Sequence, residues 1–232
     1  MDEVIGEPVH IIANSVGGLV ALQIATQARS KVRGVQLLNI SLRMLHASKQ
    51  SPLLRPAVAA FQRALRETQL GQAFFGMVAK PQAVKNVLRQ AYHDPETVTD
   101  ELVECILQPG LLPGAADVFL DFIRCAWRLC RARVQRDARP CGRAADPSVL
   151  SCSYSSGPLP EDLIAGCPVP VSMIWGQQDP WEKVEWGREL GRAASVVEFI
   201  ELPGVGHCPQ DEAPQQVNPL IRAFVEAYPG AA

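Results

Sequence analysis

Asn14-Ser15-Val16-Gly17-Gly18 follows the β-like run Val9-His10-Ile11-Ile12-Ala13 and opens the helix-like run Leu19-Val20-Ala21-Leu22-Gln23-Ile24-Ala25. A strand, a sharp turn and a helix in that order, with serine at the turn, is a nucleophile elbow. The serine of such an elbow sits in a strained backbone conformation, so small residues must flank it where the helix and neighbouring strands approach. Ala13 and Gly17 are those residues here. The usual pattern has glycine two places before the serine, and Ala13 leaves little more side chain to clash. The competing reading is a strand-to-helix turn of an ordinary α/β domain.

Two later stretches carry the matching chemistry. Val169-Pro170-Val171-Ser172-Met173-Ile174-Trp175 reads as a short buried strand, and Gly176-Gln177-Gln178-Asp179-Pro180-Trp181 follows as a turn that places a carboxylate just past its C-terminal end. Val196-Val197-Glu198-Phe199-Ile200-Glu201-Leu202 reads as another strand, followed by Pro203-Gly204-Val205-Gly206-His207-Cys208-Pro209. In an open α/β sheet the C-terminal ends of the strands are where chemistry collects.

A serine hydroxyl is a poor nucleophile near neutral pH, so an imidazole must take its proton during attack and return it to the leaving alcohol. His207 is the candidate for that role. A carboxylate must hold the ring in the right tautomer and stabilise the imidazolium without taking its proton, and Asp179 is the candidate. The amide of Val16, directly after the nucleophile, is the expected oxyanion donor. Each residue read singly has a plain alternative: Asp-Pro is commonly a turn, and Gly-His before Pro is commonly a loop. The other histidines compete poorly. His10 lies inside a strand, His46 in a polar segment after a strand, and His93 at a helix end.

The order Ser15, Asp179, His207 is that of the α/β-hydrolases, distinct from the chymotrypsin and subtilisin orders. The elbow with Gly18-Leu19-Val20-Ala21-Leu22, then Gly34-Val35-Gln36-Leu37-Leu38-Asn39, Trp175-Gly176 through Asp179-Pro180-Trp181, and Gly206-His207-Cys208-Pro209 with Asp211-Glu212 and Pro214, resembles the pheophytinase and chlorophyll dephytylase branch of that superfamily. The resemblance covers most of the chain. It implies a chloroplast enzyme that cleaves the phytyl ester of a chlorophyll-type pigment, with Ser15, Asp179 and His207 as its triad. A serine at the elbow argues against the carboxylate-nucleophile chemistry found in other members of the superfamily.

Composition fits such a reading. The 232 residues are 47% hydrophobic with a net charge of -2, enough to bury a core as one domain, with no basic surplus for nucleic acid. The apolar window Val9 to Ala28 is interrupted by Asn14, Ser15, Gly17 and Gly18 and suits an elbow better than a membrane span. Met1-Asp2-Glu3 lacks the pattern of a secretory signal or a transit peptide, so a chloroplast location rests on the resemblance alone. No phosphate loop, dinucleotide fingerprint or metal motif is visible, so no cofactor is expected, and the expected partner is a small-molecule ester, a phytylated pigment by resemblance.

The expected fold is α/β: the C-terminal part of an α/β-hydrolase, a mostly parallel sheet with about four strands remaining of about eight, and a helical lid after the second strand of the chain. Residues 1–40 and 160–232 are the expected partial core, 41–123 the lid and 124–152 an irregular insertion. The four strands that normally precede the elbow strand are expected to be missing, and with them the loop that gives a second oxyanion donor, a loss worth on the order of 3 kcal/mol. The elbow strand is therefore expected at an exposed sheet edge.

The stretch Arg124 to Cys152 holds arginines at 124, 128, 131, 133, 136, 139 and 143 and four of the chain's seven cysteines, without sustained apolar periodicity. It reads as an insertion, with translated intron sequence as its expected origin. Cys125, Cys130, Cys141 and Cys152 lack the paired spacing of zinc ligands. In the lid, helices are predicted over Pro56–Leu70, Ala83–Tyr92 and from Thr97 or Thr99 through Ile106, and Gly114–Ile123 reads as amphipathic. Phe74, Phe75, Met77, Leu111, Leu112, Val118 and Phe119 are candidates to line an apolar tunnel, or else plain helix packing. Two rival functions stand beside the phytyl esterase: a catalytically inactive fragment or interaction module, and a general carboxylesterase.

Overall fold

The computed structural model describes residues 5–42, 60–61, 64–65, 69–123 and 158–229, with backbone alone for 121–123. The insertion expected at 124–152, His46 and most of the helix expected over Pro56–Leu70 lie outside the described residues.

Four parallel strands form one sheet in the order β1 (Val9–Asn14), β2 (Val32–Leu38), β3 (Val171–Gly176), β4 (Val196–Leu202). Sequential parallel pairing requires a crossover on every connection, and helix α1 (Val16–Gln27) supplies the first. The period of two along a strand sorts the core. Val35, Leu37, Val171, Met173 and Trp175 pack with Leu19, Leu22 and Ala25 of α1. Leu38, Ile174 and Leu202 pack instead with Val217 of the C-terminal helix (Pro214–Ala227). All six residues of β3 are buried, which is why it reads as an unbroken apolar run. Two polar residues inside this sheet meet across the register: Gln36 donates from Nε2 to Ser172 Oγ at 3.2 Å.

Strand boundaries shift slightly from the sequence reading. β3 begins at Val171, not Val169, because Pro170 has no N–H to give and enters the ladder only through its carbonyl, which accepts from Val35 N at 2.9 Å. β2 stops at Leu38 because Asn39 turns into the left-handed region at φ 41°. β1 stands at an edge of the described sheet, as expected, and its residues are half-buried. Among the described residues no helix is long and apolar enough to cross a membrane.

The chain divides into two compact units. The first holds Met1–Leu42, Lys85–Val103 and Leu159–Ala232, and the second Arg43–Val84 and Glu104–Pro158. The stretch Lys85–Val103, read from the sequence as lid, thus clusters with the sheet. In the second unit α2 (Gln69–Val78), a helix the sequence reading did not mark, meets the helix Ala115–Ile123 through Phe75 and Phe119, whose rings are 5.4 Å apart, and through Gln72 Nε2 donating to Asp117 Oδ1 at 3.3 Å. Phe75, Leu112, Val118 and Phe119 line an open apolar cavity of about 590 Å³ to which Met77 and Leu111 do not contribute, and Leu112 and Val118 are themselves more than half exposed.

Candidate active site

Ser15 stands between β1 and α1 with φ 52° and ψ -123°, a conformation that costs a non-glycine residue about 1–3 kcal/mol and persists only when its surroundings enforce it. The enforcement is visible in its backbone. Ser15 N donates to Leu38 O at 3.0 Å, and Ser15 O accepts from Gly18 N and Ser41 N, each at 3.1 Å. Gly18 lets the helix close on the sheet, since a Cβ there would come within 2.9 Å of Ile40 Cγ1 and 3.1 Å of Leu37 Cδ2. Val16 is the first residue of the helix, where an amide has no partner within the helix.

Asp179 lies just past the end of β3 and is 5% exposed. Its carboxylate accepts four hydrogen bonds. Oδ1 takes the backbone amides of Trp181 at 2.8 Å and Glu182 at 3.0 Å. Oδ2 faces Asn39 Nδ2 at 2.6 Å and His207 Nδ1 at 2.7 Å. Because every site on the carboxylate faces a donor, His207 carries its proton on Nδ1, and Nε2 is left as the basic nitrogen. Asn39 reaches Asp179 from the end of the neighbouring strand and also accepts from Gly176 N through Oδ1 at 2.9 Å.

The His207 loop is held from three directions. Its backbone N–H donates to Ala91 O at 3.0 Å, and its carbonyl accepts from Asn14 Nδ2 at 3.0 Å. Asn14 also donates to Leu38 O at 3.0 Å, so the residue before Ser15 is tied to the histidine loop and to β2 at once. Among the described residues Ser15 makes no direct hydrogen bond to the His207 ring, and Asn14 couples the two positions one step removed. Apo sites commonly hold this contact loosely.

Glu212 fastens the loop from behind. Gly206 N lies 3.0–3.1 Å from both its carboxylate oxygens, Cys208 N donates to Oε1 at 3.3 Å, and His93 N to Oε2 at 2.8 Å. Gly206 has no room for a side chain, since a Cβ would sit 2.6 Å from His93 N and 2.7 Å from Ala91 O. The thiol of Cys208, next to the histidine, is pushed up to about 12, chiefly by burial, so it stays protonated and unreactive near neutral pH. Glu212→Ala is expected to slow ester hydrolysis about tenfold to a hundredfold through kcat, since three amides lose the acceptor that shapes the loop, with Glu212→Gln intermediate. Steady-state kinetics beside a thermal melt check this.

Glu182 is a second carboxyl buried beside Asp179. Its Oε1 accepts from Leu42 N at 3.0 Å and Ser41 Oγ at 3.2 Å, its backbone carbonyl accepts from Trp175 Nε1 at 2.8 Å, and Oε2 has no hydrogen-bond partner among the described residues. Since Ser41 N also donates to Ser15 O, Glu182 joins the Asp179 turn to the elbow. Burial raises its pKa, more than the Leu42 and Ser41 bonds lower it, and the Asp179 charge adds to the rise. The folded chain therefore binds this proton more tightly than the unfolded chain, and stability falls as pH rises from the ordinary carboxyl range through the raised value. Glu182→Gln keeps the acceptor and removes the titration, so its Tm is expected to gain on the wild type as pH rises above the ordinary carboxyl range, measured as parallel melts.

The sequence reading named Ser15, Val16, Asp179 and His207. The structure brings Asp179 and His207 into contact and sets Ser15 and Val16 at the strained turn. Asn39 and Glu182 were missed as partners, although Asn39 closed a quoted strand run and Glu182 follows the Asp-Pro-Trp turn. Among the described residues no three His, Cys, Asp or Glu side chains are grouped to hold a metal ion.

The chain and its fold have relatives among known proteins. Pheophytinase, chloroplastic, of Arabidopsis thaliana is 28% identical over 234 residues, covering 97% of this chain and 43% of that protein. This chain thus spans less than half the length of that relative. A meta-cleavage product hydrolase from Pseudomonas fluorescens IP01 matches with a TM-score of 0.60 at 18% identity, covering 95% of this chain and 65% of that one. A thermophilic esterase from Thermogutta terrifontis matches with a TM-score of 0.60 at 19% identity, covering 98% and 68%. Identities this low show the fold alone. A family model described as the alpha/beta hydrolase family matches residues 1–220, and with that span and this sheet the chain belongs to the alpha/beta hydrolase family.

Proposed function

We propose that the chain is a serine ester hydrolase whose substrate is the phytyl ester of a chlorophyll-type pigment, acting in the chloroplast. The observation that carries the chemistry is the 2.7 Å contact between His207 Nδ1 and Asp179 Oδ2, on turns after adjacent parallel strands whose sheet also carries the strained Ser15. Ser15 Oγ attacks the ester carbonyl while His207 Nε2 takes its proton. The Val16 amide faces the developing oxyanion, and the imidazolium, steadied by Asp179, protonates the departing alkoxide. Water then attacks the acyl-serine by the same relay and releases the acid. The alcohol is assigned from the likeness to the Arabidopsis pheophytinase.

The test is hydrolysis of pheophytin and of short acyl nitrophenyl esters by the purified chain, beside Ser15→Ala and labelling with a fluorophosphonate. Pheophytin turnover and labelling that both vanish in Ser15→Ala are expected. Turnover of the short esters alone would point to a general carboxylesterase. Absence of turnover and of labelling would sink the hydrolase reading.

A further inference from the structure

We infer that Trp181 is the specificity-determining wall of this site, a platform on which an ester with a broad, planar, conjugated acid part stacks beside His207. The inference rests on the ester-hydrolase reading above and assigns to one side chain the recognition of the acid half of the substrate. The Trp181 amide donates to Asp179 Oδ1 at 2.8 Å, so the carboxylate that orients the histidine also fixes this residue. Its ring centroid lies 4.9 Å from that of His207, inclined by 57°. His207 is 4% exposed, yet Trp181 is 44% exposed.

The contrast with Trp175 shows why that exposure matters. Six positions earlier, the same unit places an indole for packing alone: Trp175 is fully buried, stacks toward Phe199 at 6.2 Å and spends its N–H on Glu182 O. Trp181 is held in place by its backbone while its indole is left open against the candidate base. Exposed apolar area of that size is unfavourable in the free protein and is regained when something flat covers it.

Geometry limits what that is. A carbonyl carbon under attack must lie about 3–3.5 Å from the nucleophile, with the proton acceptor in hydrogen-bond reach. With the Trp181 and His207 rings 4.9 Å apart, an acid part broad enough to extend past the histidine comes into reach of the indole. A planar conjugated acid can meet it in an offset stack, whereas a short aliphatic acid cannot reach across it. Stacking of this kind is worth about tenfold in affinity.

The test compares wild type, Trp181→Leu and Trp181→Phe on two esters of the same alcohol, pheophytin and phytyl butyrate, together with binding of the free tetrapyrrole acid that pheophytin hydrolysis releases. In Trp181→Leu, kcat/KM for pheophytin is expected to fall about tenfold more than that for phytyl butyrate, the excess lying in KM, with the free acid bound about tenfold more weakly. Trp181→Phe should recover most of the loss. An equal fall on both esters, or unchanged binding of the free acid, would overturn the inference and leave Trp181 as packing for the histidine. If wild type hydrolyses neither ester, the hydrolase reading fails, and the free-acid binding still decides: dependence on Trp181 supports the platform, independence removes it.

Discussion

Asp179→Asn is expected to lower kcat for ester hydrolysis by about 10⁴ while the chain remains folded. The size of the effect follows from four donors converging on one carboxylate: Trp181 N, Glu182 N, Asn39 Nδ2 and His207 Nδ1. An asparagine offers one oxygen and one NH2. With the NH2 toward Oδ1, it meets two backbone amides that cannot turn away. With the NH2 toward Oδ2, it faces the Asn39 amide, which can flip only by giving up its bond with Gly176 N, and it forces His207 Nδ1 to become the acceptor. The imidazole proton then moves to Nε2, and the base that should receive the Ser15 proton no longer exists. Either orientation also leaves a buried donor unpaired, at about 1–3 kcal/mol. Steady-state kinetics and a thermal melt, run beside Ser15→Ala, separate the two consequences. Ser15→Ala should lose activity with little change in Tm, while Asp179→Asn should lose both. Activity within tenfold of wild type would mean that the Asp179–His207 pair does not serve the reaction.

Much of this site was legible because it is built from local signals. The elbow is a change of period, from β-like to helix-like, across five residues, and Asp179 and His207 each follow a short apolar run at a Gly-rich or Pro-marked turn. What escaped is made of pairs distant in the chain. Asn39 meets Asp179 across 140 positions, and Asn14 meets the His207 carbonyl across 193. Nothing local to either residue announces such a partner, because the contact is created by the strand order. Helix α2 was missed for a different reason: Phe74-Phe75-Gly76-Met77-Val78 is apolar on every side and interrupted by glycine, so no stripe of period 3.6 stands out. The shift of Lys85–Val103 to the sheet unit was equally invisible, since it depends on Ala91 O and His93 N binding the loop around His207.

Gly176→Ala is expected to be among the least tolerated single substitutions in the sheet, with a stability loss of about 3 kcal/mol, or a Tm lower by about 6–12 °C. A Cβ at Gly176 would lie 2.1 Å from Gly206 O, 2.5 Å from Val205 O and 2.9 Å from Val205 C. All three are backbone atoms, so no rotamer change relieves the clash, and the 205–206 segment must move. That segment accepts Gln178 N through Val205 O at 2.9 Å and leads directly into His207. One methyl group would thus part the Asp179 turn from the His207 loop, and activity should fall further than stability alone predicts. Gly17→Ala makes the informative contrast. Gly17 belongs to the elbow motif and looks the more restricted of the two on sequence grounds. Yet its Cβ would meet only Ala13 Cβ at 3.7 Å, an ordinary contact, and it sits in the first turn of α1, where alanine is the better helix former. Its Tm should stay at or slightly above that of the wild type. Equal intolerance at both positions would mean that the elbow, and not the space between the Asp179 turn and the His207 loop, limits the packing of this sheet.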